Sequence, residues 1–266
     1  MARRRLDAEL VRRGLARSRG EAADLVSGGR VTVGGVVAAK PASQVDEAAP
    51  ISVTEAEGPR YASRGAAKLL GALEAFAPRG LGVEGRRCLD AGASTGGFTD
   101  VLLRSGAGEV VAVDVGYGQL AWSLRNDPRV LVRDRTNVRD LTCDLTVGPV
   151  DLVVADLSFI SLRVVLPALI GVCTDDADLL LMVKPQFEVG KDRLPSGGVV
   201  RDRSLRRDAV LGVGEAAAPL GLGAKGVVAS PLPGPAGNVE YFLWLHRGAP
   251  RLRAADVEQA IEEGPT

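Results

Sequence analysis

The stretch CLDAGASTGGFTDVLL, Cys88 to Leu103, decides the fold of this 266-residue chain. Apolar residues run into Asp90, small residues and glycines follow, and an apolar helical pattern begins at Gly97. This order predicts a buried strand, a tight turn and a helix. In an open α/β sheet, a ligand binds outside the carboxyl end of such a strand. We therefore expect Gly92, Gly96 and Gly97 to let backbone and ligand approach closely.

The composition of this turn indicates the class of ligand. Its glycines follow the pattern G-x-x-x-G-G, which differs from the G-x-G-x-x-G fingerprint of dinucleotide-binding folds. The carboxylate of Asp90 would also repel a pyrophosphate, whereas it would attract an ammonium group. S-adenosylmethionine carries an ammonium and a sulfonium and no phosphate, so we favour it over a nicotinamide dinucleotide.

From Arg86 onward, strands alternate with helices, which predicts a mostly parallel sheet with helices on both faces. The predicted strands are short apolar runs at 87–91, 110–115, 130–133, 152–156, 179–184, 226–230 and 241–246. The predicted helices between them lie at 97–105, 119–126, 161–172 and 204–217. No helical pattern separates the last two strands, so we expect an antiparallel hairpin at that edge. The fold class is α/β, a Rossmann-like domain with a seven-stranded mixed sheet.

The amino-terminal part of the chain reads as a separate small α+β module. Apolar spacing predicts two short helices, the second capped by Ser18, followed by a hairpin that turns at Gly34-Gly35. Residues 1–45 contain nine Lys or Arg against four Asp or Glu, a local charge of about +5 that suits an anionic partner.

These patterns place the domain boundaries. We expect the small module at 1–59, a linker at 60–63 and the α/β domain at 64–266.

Composition argues against several classes of protein. The chain is 46% hydrophobic and has no formal net charge, so it can bury a full core. No apolar run approaches the ~20 residues of a membrane span, and the basic amino terminus lacks the apolar centre of a signal peptide. Three widely spaced cysteines match neither a metal site nor a disulfide framework. We expect a cytoplasmic protein that holds no metal and contacts no membrane.

Polar and charged side chains stand at the ends of the predicted strands. Asp114 follows the second strand of the α/β domain, where it is placed to accept hydrogen bonds from ribose hydroxyls. Asn137 follows the third strand and is a weaker candidate for an adenine edge. Asp156 ends the fourth strand and Lys184 the fifth. The alternative is that such side chains are merely solvated, although two acids on either side of the glycine-rich turn favour a nucleoside-type ligand.

Two lysines and two acids are predicted to converge beside the turn. Glu240 stands just before the last strand, and Lys68 lies on a helix that precedes the sheet. Ordinary salt bridges at the rim of the sheet are the alternative to a catalytic role. A catalytic cluster of this kind suits a ribose 2′-hydroxyl, which is a weakly acidic nucleophile. A buried lysine can accept or orient its proton while carboxylates hold that lysine in place.

The chain closely resembles the TlyA family, also labelled hemolysin A-like, whose members are S4-domain RNA 2′-O-methyltransferases related to FtsJ. The resemblance covers nearly the whole chain, through ARSRGEAADLVSGGRVTVGGVVAAKPASQV, SRGAAKL, DAGASTGGFTDVLL, DVGYGQLAWSLRNDPRV, VVADLSFISL, VKPQFEVGK and SPLPGPAGNVEYFLWL. This chain has Ala62 in the linker, where family members often carry a bulkier residue.

The resemblance implies a Lys-Asp-Lys-Glu tetrad, formed by Lys68, Asp156, Lys184 and Glu240. It implies S-adenosylmethionine as methyl donor, a cytidine 2′-hydroxyl in 16S and 23S rRNA as acceptor, and the 30S and 50S subunits as partners of a monomer. The residues predicted to bind the cofactor are Asp90, Gly92, Ser94, Thr95, Gly96, Gly97, Phe98, Asp114 and Asn137. The residues predicted to bind RNA through an S4-like module are Arg3, Arg4, Arg17, Arg19, Arg30 and Lys40.

Two rival hypotheses belong to other classes of protein. A membrane-lytic protein matches the family's hemolysin label, but no span, secretion signal or strongly amphipathic basic helix supports it. An RNA-binding module with a degenerated catalytic domain is opposed by the intact tetrad.

Four aromatic residues each allow a structural and a functional interpretation. Trp122 and Trp244 lie in apolar patterns, which favours core positions over base-stacking platforms. Phe159 and Phe187 follow the predicted catalytic residues on loops, where a structural role and a place beside the substrate base fit equally well.

Overall fold

The computed structural model describes residues 3–16, 18–54 and 61–265 of the chain. The chain falls into two compact units, Met1–Arg60 and Tyr61–Thr266. Two of the predicted positions, Arg17 in the RNA-binding set and Arg60 in the linker, lie outside the described residues.

The first unit packs two helices against short antiparallel strands. Its elements are β1 (Arg3–Arg5), α1 (Leu6–Arg12), α2 (Arg19–Ser27), β2 (Val31–Val33), β3 (Val36–Val37), β4 (Gln44–Asp46) and β5 (Ile51–Val53). Strand β2 pairs with both β3 and β5, and β1 pairs with β4. Leu6 and Leu10 of α1 pack with Ala22 and Val26 of α2 in a buried core.

Local signals in the first unit are confirmed where they rest on turn and cap chemistry. Ser18 Oγ accepts the Glu21 N–H at 3.1 Å, so it caps α2. Gly34 and Gly35 both adopt left-handed φ, of 59° and 83°, in the turn between β2 and β3. The β1–β4 pair was not predicted, because the exposed run RRR of β1 has no apolar alternation to mark it as a strand.

The second unit is a sheet with helices on both faces. Its strands are β6 (Arg87–Ala91), β7 (Glu109–Val113), β8 (Val130–Arg133), β9 (Val150–Ala155), β10 (Cys173–Val183), β11 (Leu222–Ala229) and β12 (Tyr241–Arg247). Its helices are α3 (Gly65–Phe76), α4 (Gly97–Arg104), α5 (Trp122–Arg125), α6 (Cys143–Thr146), α7 (Leu162–Gly171), α8 (Pro185–Glu188), α9 (Arg203–Ala217) and α10 (Ala254–Glu263).

The seven strands follow the order β11-β12-β10-β9-β6-β7-β8. Strand β12 is antiparallel to both of its neighbours, and the remaining pairs are parallel. The prediction of an α/β fold with a seven-stranded mixed sheet is therefore confirmed. The chain runs outward from β6 through β7 to β8 and then returns to β9 on the other side of β6. This reversal between β6 and β9 is the topological switch point at which α/β sheets bind ligands.

The two faces of the sheet form two cores. Along β9, Leu152 and Val154 join the core that includes residues of α3 and α4. Val153 and Ala155 point to the opposite side and join the core shared with α7, α9 and α10. This alternation follows from the two-residue period of a strand, and the covering of both faces explains why the central strands are continuously apolar.

Several elements of the second unit differ from the predictions, and the one-turn helices α6 and α8 were not predicted. Helix α5 is a single turn that begins at Trp122, and Trp122 is 80% exposed, so its predicted core position is wrong. The apolar face of this segment is formed instead by Leu120 and Leu124, which pack close to Gly96. Helix α10 was not predicted, although its buried Val257 and Ala260 have helical spacing.

The other tryptophan lies where it was expected. Trp244 is fully buried, and its Nε1 donates a hydrogen bond to Asp178 Oδ1 at 2.7 Å. Within the described ranges, no helix has both the length and the apolar character needed to cross a bilayer.

Candidate active site

Four charged side chains form two ion pairs at the carboxyl edge of the sheet. Asp156 directly follows β9 and Lys184 directly follows β10, and Lys184 Nζ lies 2.6 Å from Asp156 Oδ1. Lys68 projects from α3, and its Nζ donates to Glu240 Oε2 at 2.5 Å. The structure thus brings the four predicted catalytic residues into two close contacts.

The register of the sheet places the two ion pairs side by side. Val183 of β10 is paired with Tyr241 of β12 in an antiparallel arrangement. Lys184 and Glu240 are each one residue beyond this pair, at the same end of the sheet. The hairpin predicted at this edge is what brings Glu240 to the carboxyl ends of the parallel strands.

These charges are largely hidden from water. Lys68, Lys184 and Glu240 are 9%, 8% and 1% exposed, whereas the Asp156 side chain is 24% exposed. A buried charge is tolerated only when it is paired, and removing one partner of a buried pair typically costs about 3–5 kcal/mol. Because apolar side chains of similar volume often stabilise a fold equally well, two such pairs at one edge make this edge a candidate functional site.

A further contact to Lys184 was missed at the level of sequence. Lys184 Nζ donates a hydrogen bond to Ser158 Oγ at 3.0 Å. Ser158 lies two residues after Asp156, so the same loop supplies both the ion-pair partner and the hydrogen-bond acceptor of Lys184. This spacing was the available signal, but a serine in a loop has too many ordinary roles for it to be decisive.

The glycines of the turn after β6 make close contacts inside the protein. Gly92 has a left-handed φ of 91°, and a Cβ there would lie 2.6 Å from the carbonyl oxygen of Asp156. A side chain at Gly96 would collide with Leu124, and one at Gly97 with Ser63. The close approach expected from the sequence is therefore made, at these three positions, by neighbouring parts of the chain.

Asp114 holds the same turn from the adjacent strand. It directly follows β7, and its carboxylate accepts the Ser94 N–H at 2.8 Å and the Gly116 N–H at 2.7 Å. Ser94 is held at a φ of 47°, a conformation uncommon for a residue with a side chain. Each carboxylate oxygen retains a lone pair for a further donor.

Asp90 is an acid enclosed in the sheet. It is fully buried in β6, and its Oδ2 accepts a hydrogen bond from Thr99 Oγ1 at 2.6 Å. Its Oδ1 has no hydrogen-bond partner among the residues that the structure describes. Burial raises the pKa of Asp90 to about 7, against the opposing effect of the Thr99 hydrogen bond and with a smaller contribution from Asp156. Thr99 was not predicted from the sequence.

The remaining residues predicted to bind the cofactor differ in their exposure to solvent. Ser94 and Thr95 are exposed on the turn. Phe98 is buried in the core, with its ring centroid 6.0 Å from that of Phe242, so the structure does not bring its ring to the surface. Asn137 is exposed, and its side-chain oxygen accepts the Arg139 N–H at 3.1 Å.

An exposed aromatic side chain stands beside the first ion pair. Phe159 is 91% exposed and lies three residues after Asp156. Its ring contacts that of Phe187, with 5.3 Å between centroids, and its φ of 63° is left-handed. An apolar ring held outward in a strained conformation is more typical of a binding surface than of a core.

The predicted RNA-binding residues of the first unit differ in their intramolecular partners. Arg3, Arg4, Arg19 and Lys40 are exposed. Arg4 forms an ion pair with Glu47, Arg19 Nη2 lies 3.0 Å from Asp7 Oδ2, and Arg30 Nη2 donates to the Thr54 carbonyl at 2.8 Å.

Comparison with known proteins assigns the two units to families. The model of the FtsJ-like methyltransferase family matches residues 61–247, and the model of the S4 domain matches residues 4–51. The chain belongs to the FtsJ-like methyltransferase family.

Individual relatives agree with this assignment. The chain is 60% identical over 271 residues to the 16S/23S rRNA (cytidine-2'-O)-methyltransferase TlyA of Mycobacterium tuberculosis (strain ATCC 25618 / H37Rv), with 100% of both chains covered. It is 35% identical over 239 residues to Hemolysin A of Brachyspira hyodysenteriae, covering 90% of this chain and 98% of that protein. The predicted TlyA membership is confirmed, and the protein is a methyltransferase with an S4 domain.

A solved structure supports the fold over the whole length. A candidate hemolysin from Streptococcus thermophilus matches with a TM-score of 0.78 and 36% identity, covering 99% of this chain and 96% of that chain. Proteins that carry the hemolysin name therefore share this fold, and the name alone does not separate them from the methyltransferases.

Proposed function

We propose that the protein transfers a methyl group from S-adenosylmethionine to the 2′-hydroxyl of cytidine in 16S and 23S rRNA. The observation that carries this proposal is the presence of two ion pairs, the buried Lys68–Glu240 and the partly buried Lys184–Asp156, beside the glycine-rich turn. The choice of substrate rests on the Mycobacterium tuberculosis relative, which is 60% identical over the full length and whose name specifies cytidine in both rRNAs.

The residues around the turn fit S-adenosylmethionine, which supplies the methyl group when bound. Asp90 Oδ1 lacks a partner in the described part of the chain, and a cationic ammonium placed against the turn would stabilise its ionised form. Asp114 has lone pairs left for ribose hydroxyls after it has accepted two backbone N–H groups. The exposed Ser94 and Thr95 line the turn, and Asn137 offers its amide nitrogen to the adenine edge.

The tetrad then acts on the ribose 2′-hydroxyl. Lys184, held by Asp156 and Ser158, accepts or orients the proton of this weakly acidic group as the methyl group is transferred. Lys68 contributes a second cation next to Lys184, and Glu240 holds Lys68 and balances its charge. Much of the rate acceleration is expected from positioning the hydroxyl in line with the methyl group.

The target base and the surrounding RNA need separate contacts. Phe159, exposed beside Asp156, is proposed to contact the cytosine ring by stacking, which is worth about 1–3 kcal/mol per base in single-strand recognition. The S4-like domain, which we place at 1–59 with a linker at 60–63, docks the rRNA of the 30S and 50S subunits through its basic residues. The catalytic domain occupies 64–266, and the enzyme acts as a monomer.

A direct test is to incubate purified 30S and 50S subunits with labelled S-adenosylmethionine and to map the 2′-O-methyl groups. We expect label at cytidines in both rRNAs, and no incorporation into either subunit would contradict the proposal. A liposome leakage assay with the same preparation tests the rival membrane-lytic function. Leakage by a protein that methylates no rRNA would favour the rival.

A further inference from the structure

Two loops that carry the first ion pair are joined side by side. One follows β9 and runs over residues 156–162, ending at the first residue of α7, and the other follows β10 over residues 184–188 and contains the one-turn helix α8. Beyond Leu181 and Ala155, which are paired in the sheet, no backbone hydrogen bond links these loops in the part of the chain that is described. Side chains join them instead, in the order Ser158 with Lys184, Phe159 with Phe187, and Ser161 and Leu162 with Glu188.

The outermost of these contacts is a buried carboxylate. Glu188 is 6% exposed, its Oε2 accepts a hydrogen bond from Ser161 Oγ at 2.6 Å, and its Oε1 accepts the Leu162 N–H at 2.7 Å. Arg163 Nε lies 3.5 Å from Oε2. Leu162 begins α7, so the carboxylate also stands at the amino end of that helix, where a negative charge is favourable. We call Glu188 with Ser161 and Leu162 the loop clamp.

We propose that Glu188 is a positioning residue for methyl transfer, acting through the loop clamp on the Asp156–Lys184 pair. The 2.6 Å contact between Lys184 and Asp156 fixes the separation of two atoms but not the direction in which the pair faces. That direction depends on the loops on which the two residues stand, and the clamp joins the far ends of those loops. Among the described residues, no hydrogen bond or ion pair joins the Glu188 carboxylate to Asp156 or Lys184, so its effect passes through the geometry of the loops.

The rate of methyl transfer depends on where the Asp156–Lys184 pair is placed. A displacement of about 1 Å at a reacting group can cost on the order of 10²-fold in rate. Removing the clamp leaves Ser161 Oγ and the Leu162 N–H without their carboxylate partner at a largely buried position. The first turn of α7 must then find new partners, and the loop that carries Asp156 and Ser158 moves with it.

The inference rests on the proposed role of Lys184, so the variants are compared with Lys184→Ala. Glu188→Ala removes the clamp, whereas Glu188→Gln keeps an oxygen for the Leu162 N–H and an amide that can donate to Ser161 Oγ. Asp178→Ala is the matched control. Asp178 is 6% exposed and also accepts a hydrogen bond at 2.7 Å, but it lies on β10 six residues before Lys184, about 20 Å away along the strand.

The measurement is the single-turnover rate of methylation of 30S and 50S subunits, beside the melting temperature and the affinity for S-adenosylmethionine. We expect Glu188→Ala to lower the rate by about 10²-fold and Glu188→Gln by less than about threefold, with cofactor affinity unchanged for both. Asp178→Ala is expected to lower the melting temperature while keeping the rate of the wild type.

The outcomes separate this inference from the function on which it rests. If Lys184→Ala keeps its turnover, the proposed site itself is wrong. If Lys184→Ala is inactive but folded Glu188→Ala methylates at the wild-type rate, the inference about Glu188 is wrong. Should Glu188→Ala fail to fold, Ser161→Ala decides, because it removes one clamp hydrogen bond and leaves the carboxylate. A wild-type rate for Ser161→Ala would then overturn the inference.

Discussion

Lys184 Nζ lies 2.6 Å from Asp156 Oδ1, across the boundary between two parallel strands, β10 and β9. The same lysine stands next to Glu240, because β12 runs antiparallel beside β10 and its register ends at Val183 and Tyr241. Two cations and two anions therefore gather at one edge from four distant parts of the sequence. Their charges balance, so each ammonium group is paired with a carboxylate at this largely buried edge.

Replacing Lys184 by alanine is expected to reduce methyl transfer by about 10²–10⁴-fold while RNA and cofactor still bind. The reason is that Lys184 is the group proposed to take or orient the hydroxyl proton, whereas RNA affinity is proposed to rest mainly on the S4 domain. Lys184→Arg should not restore activity, since a guanidinium stays protonated and its planar shape differs from an ammonium. Single-turnover methylation of ribosomal subunits, measured beside subunit binding, tests this. Near wild-type turnover in Lys184→Ala would remove it from the reaction.

The fold was predictable because its signals are local or periodic. Continuous apolar runs mark strands covered on both faces, and the absence of a helical run before residue 241 marks the antiparallel edge. The misplaced Trp122 shows the limit of this reasoning. A one-turn helix has too few residues for the sequence to show which of its sides is apolar. In the structure, the buried positions of this segment belong to Leu120 and Leu124.

A site residue could be predicted from the sequence only where burying that type of side chain without a partner costs free energy. A lysine at the end of a buried strand needs a carboxylate, which points to Lys184 and Asp156 from sequence alone. Ser158 and Thr99 carry no such cost in an exposed loop or on a helix, so only the structure reveals their contacts with Lys184 and Asp90. The glycines show a third case, in which the expected tight turn was found but its contacts are with the protein itself.

Asp114→Ala is expected to weaken the binding of S-adenosylmethionine by about 1–3 kcal/mol, because hydrogen bonds to ribose are lost. The Ser94 N–H also loses its acceptor, so the turn that lines the site loosens with it. Isothermal titration calorimetry measures the effect. Asp127→Ala is a matched control, since Asp127 also accepts a backbone N–H, from Arg129 at 2.9 Å. Asp127 lies before the amino end of β8, whereas Asp114 follows the carboxyl end of β7. Equal affinities for Asp114→Ala and Asp127→Ala would place Asp114 outside the site.

Asp90 is expected to make the free protein less stable as the pH rises from about 4 to above 7. Burial raises the pKa of Asp90 to about 7 from its ordinary value of 3.8, so in this range the folded state holds a proton that the unfolded state has lost. The contribution is fully present below the unfolded value and is lost as the pH passes the folded one. Asp90→Asn removes this titration and can still accept from Thr99.

The experiment is urea unfolding of the wild type and Asp90→Asn at pH 5 and pH 8. We expect the variant to gain stability relative to the wild type at pH 8, by up to about 4 kcal/mol. The difference should be smaller at pH 5. Parallel stability curves at the two pH values would show that Asp90 is already ionised in the folded protein.

Charge removal in the S4 domain is expected to have unequal effects at different arginines. Arg3 and Lys40 are exposed and have no ion pair with any described residue, whereas Arg30 is committed to the Thr54 carbonyl. Arg3→Gln with Lys40→Gln should therefore lower the slope of log affinity against log salt by about 2. Arg30→Gln should affect the stability of the domain more than the slope. Subunit binding at several salt concentrations measures both, and an unchanged slope in the double variant would make these residues a merely solvated surface.

Gly234→Ala is expected to disturb the tetrad from outside it. A Cβ at Gly234 would lie 2.5 Å from Glu240 Oε1, and Glu240 is 1% exposed and bonded to Lys68, so its carboxylate must shift away from its present contact. Because the four charges work through their relative positions, we expect the single-turnover rate to fall by about 10–10²-fold.

Gly237→Ala, in the same loop, is the matched control. Gly237 has a left-handed φ of 90° but nothing within 4 Å of its Cβ position, so alanine there strains the loop without touching Glu240. The control should therefore lose stability, of the order of 1 kcal/mol, and keep its rate. Equal rates for the two variants would show that the position of the Glu240 carboxylate does not matter for methyl transfer.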